Sequence, residues 1–127
     1  MARILIVDDD PNNRMILKAR LERAGHEVAE AADGRAGLEA GMSSVPDLIF
    51  LDGMMPRLDG WQVCRALKAD ARTAGVPVVI LTACTRQIDE LRGYESGADE
   101  FLPKPVEAAS LAAALARLLP AVAGGLR

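Results

Sequence analysis

The stretch Leu48-Ile49-Phe50-Leu51-Asp52-Gly53-Met54-Met55-Pro56 decides how the rest of the chain is read. Four apolar residues run into a carboxylate, and Gly, Met and Pro then turn the chain. An unbroken apolar run this short suits a strand buried on both faces, as in a parallel sheet. Asp52 then lies at the carboxyl end of a central strand, where open α/β sheets place their ligands. Taken alone, the stretch fits equally well an Asp that merely opens a turn.

Two further runs of the same kind lie on either side. Ile4-Leu5-Ile6-Val7 ends in Asp8-Asp9-Asp10-Pro11, and Val78-Val79-Ile80-Leu81 ends in Thr82. Between and after them come segments of helical period and turn signals. Asp10 before Pro11 reads as a helix cap with proline at the first position, and the helix carries Leu17, Leu21 and Ala24 and stops at Gly25. Glu27 to Ala31 alternates weakly and suits an edge strand. Asp33-Gly34 opens a helix with Ala36, Leu38, Ala40 and Met42 in a loose pattern. After Pro46 the strand Asp47 to Leu51 delivers Asp52, and Asp59 caps a helix carrying Trp61, Val63, Cys64 and Leu67. A helix from Thr85 to Ser96 carries Ile88, Leu91 and Tyr94 and ends at Gly97. Glu100 to Leu102 is a last short strand, closed by Pro103-Lys104-Pro105. From Val106 an alanine-rich helix carries Leu111, Leu115, Leu118 and Leu119 as far as Pro120.

Five strands alternating with five helices demand parallel strands, right-handed crossovers and helices on both faces. The expected fold class is therefore α/β, a doubly wound (βα)5 sheet of order 2-1-3-4-5, flavodoxin-like, since a barrel needs ~250 residues. The all-apolar strands 1, 3 and 4 belong at the centre. Residues 1–120 form the expected domain, with 121–127 a flexible tail or the start of a linker.

Composition narrows the function classes. The 127 residues are 50% hydrophobic and 26% charged, with a net charge of −3. That is a globular balance with no electrostatic footprint for direct nucleic-acid binding or an anionic membrane. No run nears the ~20 apolar residues of a membrane span, and the N-terminus is not built as a signal peptide. Two isolated cysteines, Cys64 and Cys84, have no metal spacing and suit a reduced, cytoplasmic protein.

In a parallel sheet all strand ends of one kind share an edge. Asp8 and Asp9, Asp52, Thr82 and Lys104 therefore gather together. Carboxylates so close are costly without a cation. Oxygen ligands without His or Cys select a hard one, Mg2+, with Mn2+ an acceptable substitute. The hydroxyl of Thr82 and the ammonium of Lys104 are donors suited to a phosphoryl group. Singly, each residue has a plainer role: Asp10 and Asp59 as caps, His26 as a surface residue, Trp61 as a partly buried packing residue, both cysteines as small hydrophobes.

These residues resemble the receiver domain of two-component response regulators over residues 3 to 119. The motifs that carry the likeness are Ile4 to Asp10, Leu51-Asp52-Gly53-Met54-Met55-Pro56 with Asp59-Gly60, Ile80-Leu81-Thr82-Ala83, and Gly97 to Pro105. The resemblance implies that Asp52 accepts a phosphoryl group from the phosphohistidine of a sensor histidine kinase or phosphotransfer protein. It implies that Mg2+ is held by Asp9 and Asp52, with Asp8 helping through water and the backbone carbonyl of Met54 as a further ligand. Thr82 and Lys104 would contact the phosphoryl group, Phe101 would be the switch aromatic, and Lys104–Pro105 would be cis. Output would run through the helix from Thr85, the strand at Glu100 and the last helix, to a downstream domain or protein or a homodimer partner. Such a domain signals by contacts and is not an enzyme in the turnover sense.

Two departures from the family pattern stand out. Gly53 replaces the usual bulky aliphatic residue, which suggests a more mobile loop, and Pro103 removes a backbone donor. Met54 and Cys84, two residues beyond Asp52 and Thr82, cannot orient a water, so slow self-dephosphorylation is expected. The competing functions are a docking module independent of phosphorylation and a HAD-like aspartyl-phosphate phosphatase. The latter needs a second Asp where this chain has Met54.

Overall fold

The computed structural model describes residues 1–82 and 97–119. The helix expected over Thr85 to Ser96, Cys84, and the tail from Pro120 lie outside the described residues. Among the described residues the chain order is β1 (Arg3–Val7), α1 (Pro11–Arg23), β2 (Glu27–Ala31), α2 (Gly34–Ser43), β3 (Leu48–Asp52), α3 (Gly60–Ala69), β4 (Val78–Thr82), β5 (Glu100–Pro103) and α4 (Ala108–Leu118).

The five strands form one parallel sheet in the order β2-β1-β3-β4-β5, as the apolar runs predict. β3 and β4 are buried along their whole length, whereas β2 and β5 at the edges are mixed. Period-two alternation divides the core into two layers. Ile4, Ile6, Leu48, Phe50, Val79 and Leu81 pack with Leu17 and Leu21 of α1 and Leu111 and Ala114 of α4. Leu5, Val7, Ile49, Leu51, Val78 and Ile80 face the other way, against Trp61, Val63, Cys64 and Leu67 of α3. Each fully buried Leu or Ile contributes ~1.5–3 kcal/mol of transfer free energy, so both layers drive folding.

The helix caps follow their sequence signals. Asp10 accepts the Asn12 N–H at 2.9 Å, Asp33 accepts that of Ala36 at 2.8 Å, and Asp59 forms a reciprocal capping box with Gln62. Ala24 is the exposed C-terminal cap of α1 rather than part of its buried face.

α2 corrects the sequence reading. Its fully buried positions are Gly34, Gly37 and Gly41, while Ala36, Leu38, Ala40 and Met42 are only half-buried. A Cβ on Gly37 would stand 2.7 Å from two methyl carbons of Val7, and one on Gly34 would stand 2.3 Å from the Leu58 carbonyl. α2 lies so close to β1 at Gly37, and to the Leu58 backbone at Gly34, that neither position has room for a side chain. An apolar-period count cannot register such a contact.

Candidate functional site

Asp8 continues the alternation of Ile4 and Ile6, and Asp52 that of Leu48 and Phe50, so both leave the sheet on the α1/α4 side. β1 and β3 are hydrogen-bonded neighbours with Val7 opposite Leu51, which sets Asp8 beside Asp52. Carboxylate oxygens of Asp8, Asp9 and Asp52 all lie within 4.8 Å of one another. Asp8 and Asp52 are buried and Asp9 is exposed.

Lys104 enters from the turn after β5. Its Nζ lies 3.4 Å from Asp8 Oδ2 and 3.3 Å from Asp52 Oδ2. The backbone aims it: the Lys104 N–H donates to the Thr82 carbonyl at 2.7 Å, and the Lys104–Pro105 bond is cis. Thr82, at the end of β4, is buried. Phe101, opposite Ile80, is half-buried against the α3-side layer.

Asp52 is 3% exposed, and burial pushes its carboxyl up from 3.8 to about 6. The Met54 N–H, donating to Asp52 Oδ1 at 3.0 Å, and the Lys104 ammonium oppose that rise; the Asp8 charge adds to it. Among the described residues the Lys104 ammonium alone pairs with these carboxylates, and one positive charge does not offset the crowding of three negative ones, so the cluster attracts further positive charge. All-oxygen donors at this spacing fit a hard divalent cation, with Asp9 reaching it from the solvent side. The Met54 side chain is 69% exposed and turned to solvent. It brings no acidic group to the site.

The loop after Asp52 answers the question of Gly53. The Gly53 N–H donates to the Leu81 carbonyl at 2.8 Å, and its own carbonyl accepts from Gly60 at 3.3 Å. A Cβ there would stand 3.3 Å from Trp61 Cζ2 and 3.3 Å from Ile80 Cγ2. The buried Trp61 ring thus fills the space next to Gly53, and the start of the loop is pinned, contrary to the expected mobility. Gly60 completes the fit, since a Cβ on it would lie 2.2 Å from the Asp52 carbonyl.

Arg14 was absent from the residues picked out by sequence. Its Nη1 donates to the Asp8 carbonyl at 2.6 Å, and its Nε to Glu30 Oε1 at 3.3 Å. A signal for it existed: the first turn of α1 holds no acidic residue, so an Arg close behind opposes the helix dipole and calls for a specific partner. His26, expected at the surface, is half-buried, and its Nδ1 accepts the Ala2 N–H at 3.1 Å.

Comparison with known proteins agrees with this geometry. The family model for the response regulator receiver domain matches residues 4–116. The chain belongs to the receiver domain family of two-component response regulators. It is 44% identical to the DNA-binding dual master transcriptional regulator RpaA of Synechocystis over 94% of this chain and 49% of that protein. It is 41% identical to Protein PilH of Pseudomonas aeruginosa, over 87% of this chain and 92% of that one. The chain thus spans about half the length of the first relative and most of the second. Among solved structures, chemotaxis protein CheY4 of Vibrio cholerae superposes with a TM-score of 0.89 at 33% identity, covering 94% and 99% of the two chains. The receiver domain of sensor histidine kinase PA1611 from P. aeruginosa, solved with magnesium coordinated in its active-site cleft, gives 0.87 at 31% identity, covering 94% and 98%. No described helix of the present chain is long and apolar enough to cross a membrane.

Proposed function

We propose that Asp52 is the phosphoacceptor of this receiver domain and that its donor is a phosphohistidine on a sensor kinase or phosphotransfer protein. The observation that carries this reading is a buried carboxylate held 3.3 Å from the Lys104 ammonium and beside two further carboxylates. Asp8, Asp9 and Asp52, with the Met54 carbonyl, would hold Mg2+, or Mn2+ in its place. When bound, that ion would supply the positive charge that offsets the phosphoryl oxygens.

In the transfer an Asp52 carboxylate oxygen forms the bond to phosphorus, and the bond from phosphorus to the donor imidazole nitrogen breaks. The electron pair leaves with the imidazole. Lys104 meets the oxygens of the transferred group, and Thr82 supplies a hydroxyl donor from the adjacent strand. Positioning and charge do the work, because a carboxylate is a weak nucleophile. Because Lys104 N–H is bonded to the Thr82 carbonyl, a shift of Thr82 toward the phosphoryl group is felt in β5, where Phe101 sits. The product is a changed contact surface for an output domain, a separate protein or a second copy, and the domain acts as a switch with no catalytic turnover. Everything in this reading belongs to a cytoplasmic protein.

Incubation with acetyl phosphate and Mg2+, read by intact mass, tests it. One phosphoryl group should be added, lost in Asp52→Asn and absent with EDTA. No uptake by the unmodified protein would overturn the reading. With Met54 exposed and apolar, the acyl phosphate should be long-lived, and Met54→Asn should shorten its life several-fold; an unchanged lifetime would refute that role.

A further inference from the structure

Metal-site function depends on the groups that hold the ligands as much as on the ligands themselves. The segment carrying Asp8 and Asp9 is gripped at two points. The Asp8 N–H donates to the Ala31 carbonyl at the end of β2 at 3.1 Å, and the Asp8 carbonyl accepts from Arg14 Nη1 at 2.6 Å. Arg14 is itself anchored, because Glu30 on the same strand takes its Nε at 3.3 Å and the Lys18 ammonium at 3.2 Å. The Arg14 side chain is 18% exposed, and its bond to the Asp8 carbonyl is partly buried while its contact with Glu30 lies at the surface. Asp8 Oδ1 in turn accepts the Asp10 N–H at 2.9 Å, so fixing the Asp8 backbone fixes its carboxylate and the entry into α1.

We propose that Arg14, braced by Glu30, is a positioning residue that holds the Asp8–Asp9 segment in the geometry that binds the divalent cation. The inference rests on the reading of the acidic cluster as the cation site. Among the described residues Arg14 makes no ion pair with the cluster's carboxylates; it works through the Asp8 carbonyl.

Its charge and its geometry act in opposite directions, which makes the idea testable. As a mere cation near three carboxylates, Arg14 would disfavour Mg2+, and its removal would tighten binding. As a positioning residue its removal loosens binding, by about tenfold on the scale of other groups that orient metal ligands. Mg2+ is titrated into the unphosphorylated full chain, followed by calorimetry and by the fluorescence of Trp61, with circular dichroism to check each fold. Arg14→Gln should bind about tenfold more weakly, and Arg14→Lys, which keeps the charge but reaches only one of the two acceptors, should also fall below the unmodified protein. Equal or tighter binding in Arg14→Gln overturns the proposal. Unchanged binding in Arg14→Lys overturns the two-acceptor fork, and decides the matter if Arg14→Gln does not fold. An unmodified protein that binds no Mg2+ would overturn the proposed function, and this inference with it.

Discussion

The two edges of the parallel sheet treat charge in opposite ways. At the amino-terminal edge three polar side chains close open backbone groups. Asp47 Oδ2 accepts the Arg3 N–H at 2.8 Å, Asp99 Oδ2 accepts the Val78 N–H at 2.8 Å and the Lys68 ammonium at 2.9 Å, and His26 accepts from Ala2. At the carboxyl edge Asp8 and Asp52 are buried together and share the ammonium of Lys104, with Asp9 close by. The first edge is arranged for stability. The second keeps like charges together against their own repulsion, and such a cluster persists only where the fold over-determines it. The difference separates residues that fold the domain from residues that give it something to bind.

If that contrast is right, neutralising the carboxyl edge should strengthen the fold. Asp52 binds its proton more tightly folded, at about 6, than its ordinary 3.8. The folded state therefore takes up a proton between those values, and stability rises as pH falls from about 7 to about 4. Above pH 7 the ionised Asp52 costs on the order of 2 kcal/mol. Asp52→Asn keeps the acceptor for the Met54 N–H and removes the charge. In EDTA at pH 8 the variant should gain about 2 kcal/mol by urea denaturation, and this gain should shrink toward pH 4. A loss of stability at pH 8 would show the cluster to be satisfied as it stands.

The opposite edge should respond with the opposite sign. Asp99→Ala leaves the Val78 N–H and the Lys68 ammonium without their shared acceptor. Since Asp99 is partly exposed, water recovers some of the loss, and about 1.5 kcal/mol of destabilisation is expected at pH 8. A denaturation midpoint unchanged in Asp99→Ala would mean that this edge owes its stability to the ladders alone.

Most of this contrast is legible in the sequence at one edge only. Uninterrupted apolar runs ending in Asp8, Asp52 and Thr82 announce central strands and a shared edge, because three of them alternate with segments of helical period. The other edge is hidden. Asp99 and His26 read as ordinary loop residues, and Asp47 as the first residue of a strand that in fact starts at Leu48, until the strand register brings them to a neighbour's N–H group. Gly37 and Gly60 are hidden for a related reason, as their role is the close approach of Val7 and of the Asp52 carbonyl. Trp61 and Gly53 are readable only as a pair, since a small residue at one place is explained by a large one eight positions on. Local pattern reports burial and caps; it does not report which distant segment arrives.

His26 provides the smallest and most discriminating contrast. Its Nδ1 accepts a backbone N–H from Ala2, so the ring must be neutral at that nitrogen for the bond to form. Partial burial, and then the charge of the N-terminal ammonium, hold its pKa below the ordinary 6.5. The folded state thus binds this proton more weakly than the unfolded chain. The bond's contribution is fully present above pH 6.5 and is lost as pH falls through the lowered folded value. Its size is that of a single hydrogen bond, about 1 kcal/mol. The two edges therefore pull against each other under mild acid, Asp52 adding stability while His26 gives it up. Asp52→Asn alone should leave a protein that weakens from pH 7 to pH 5, and His26→Ala in that background should flatten the slope. If the slope survives both substitutions, a group outside these two edges governs the acid response.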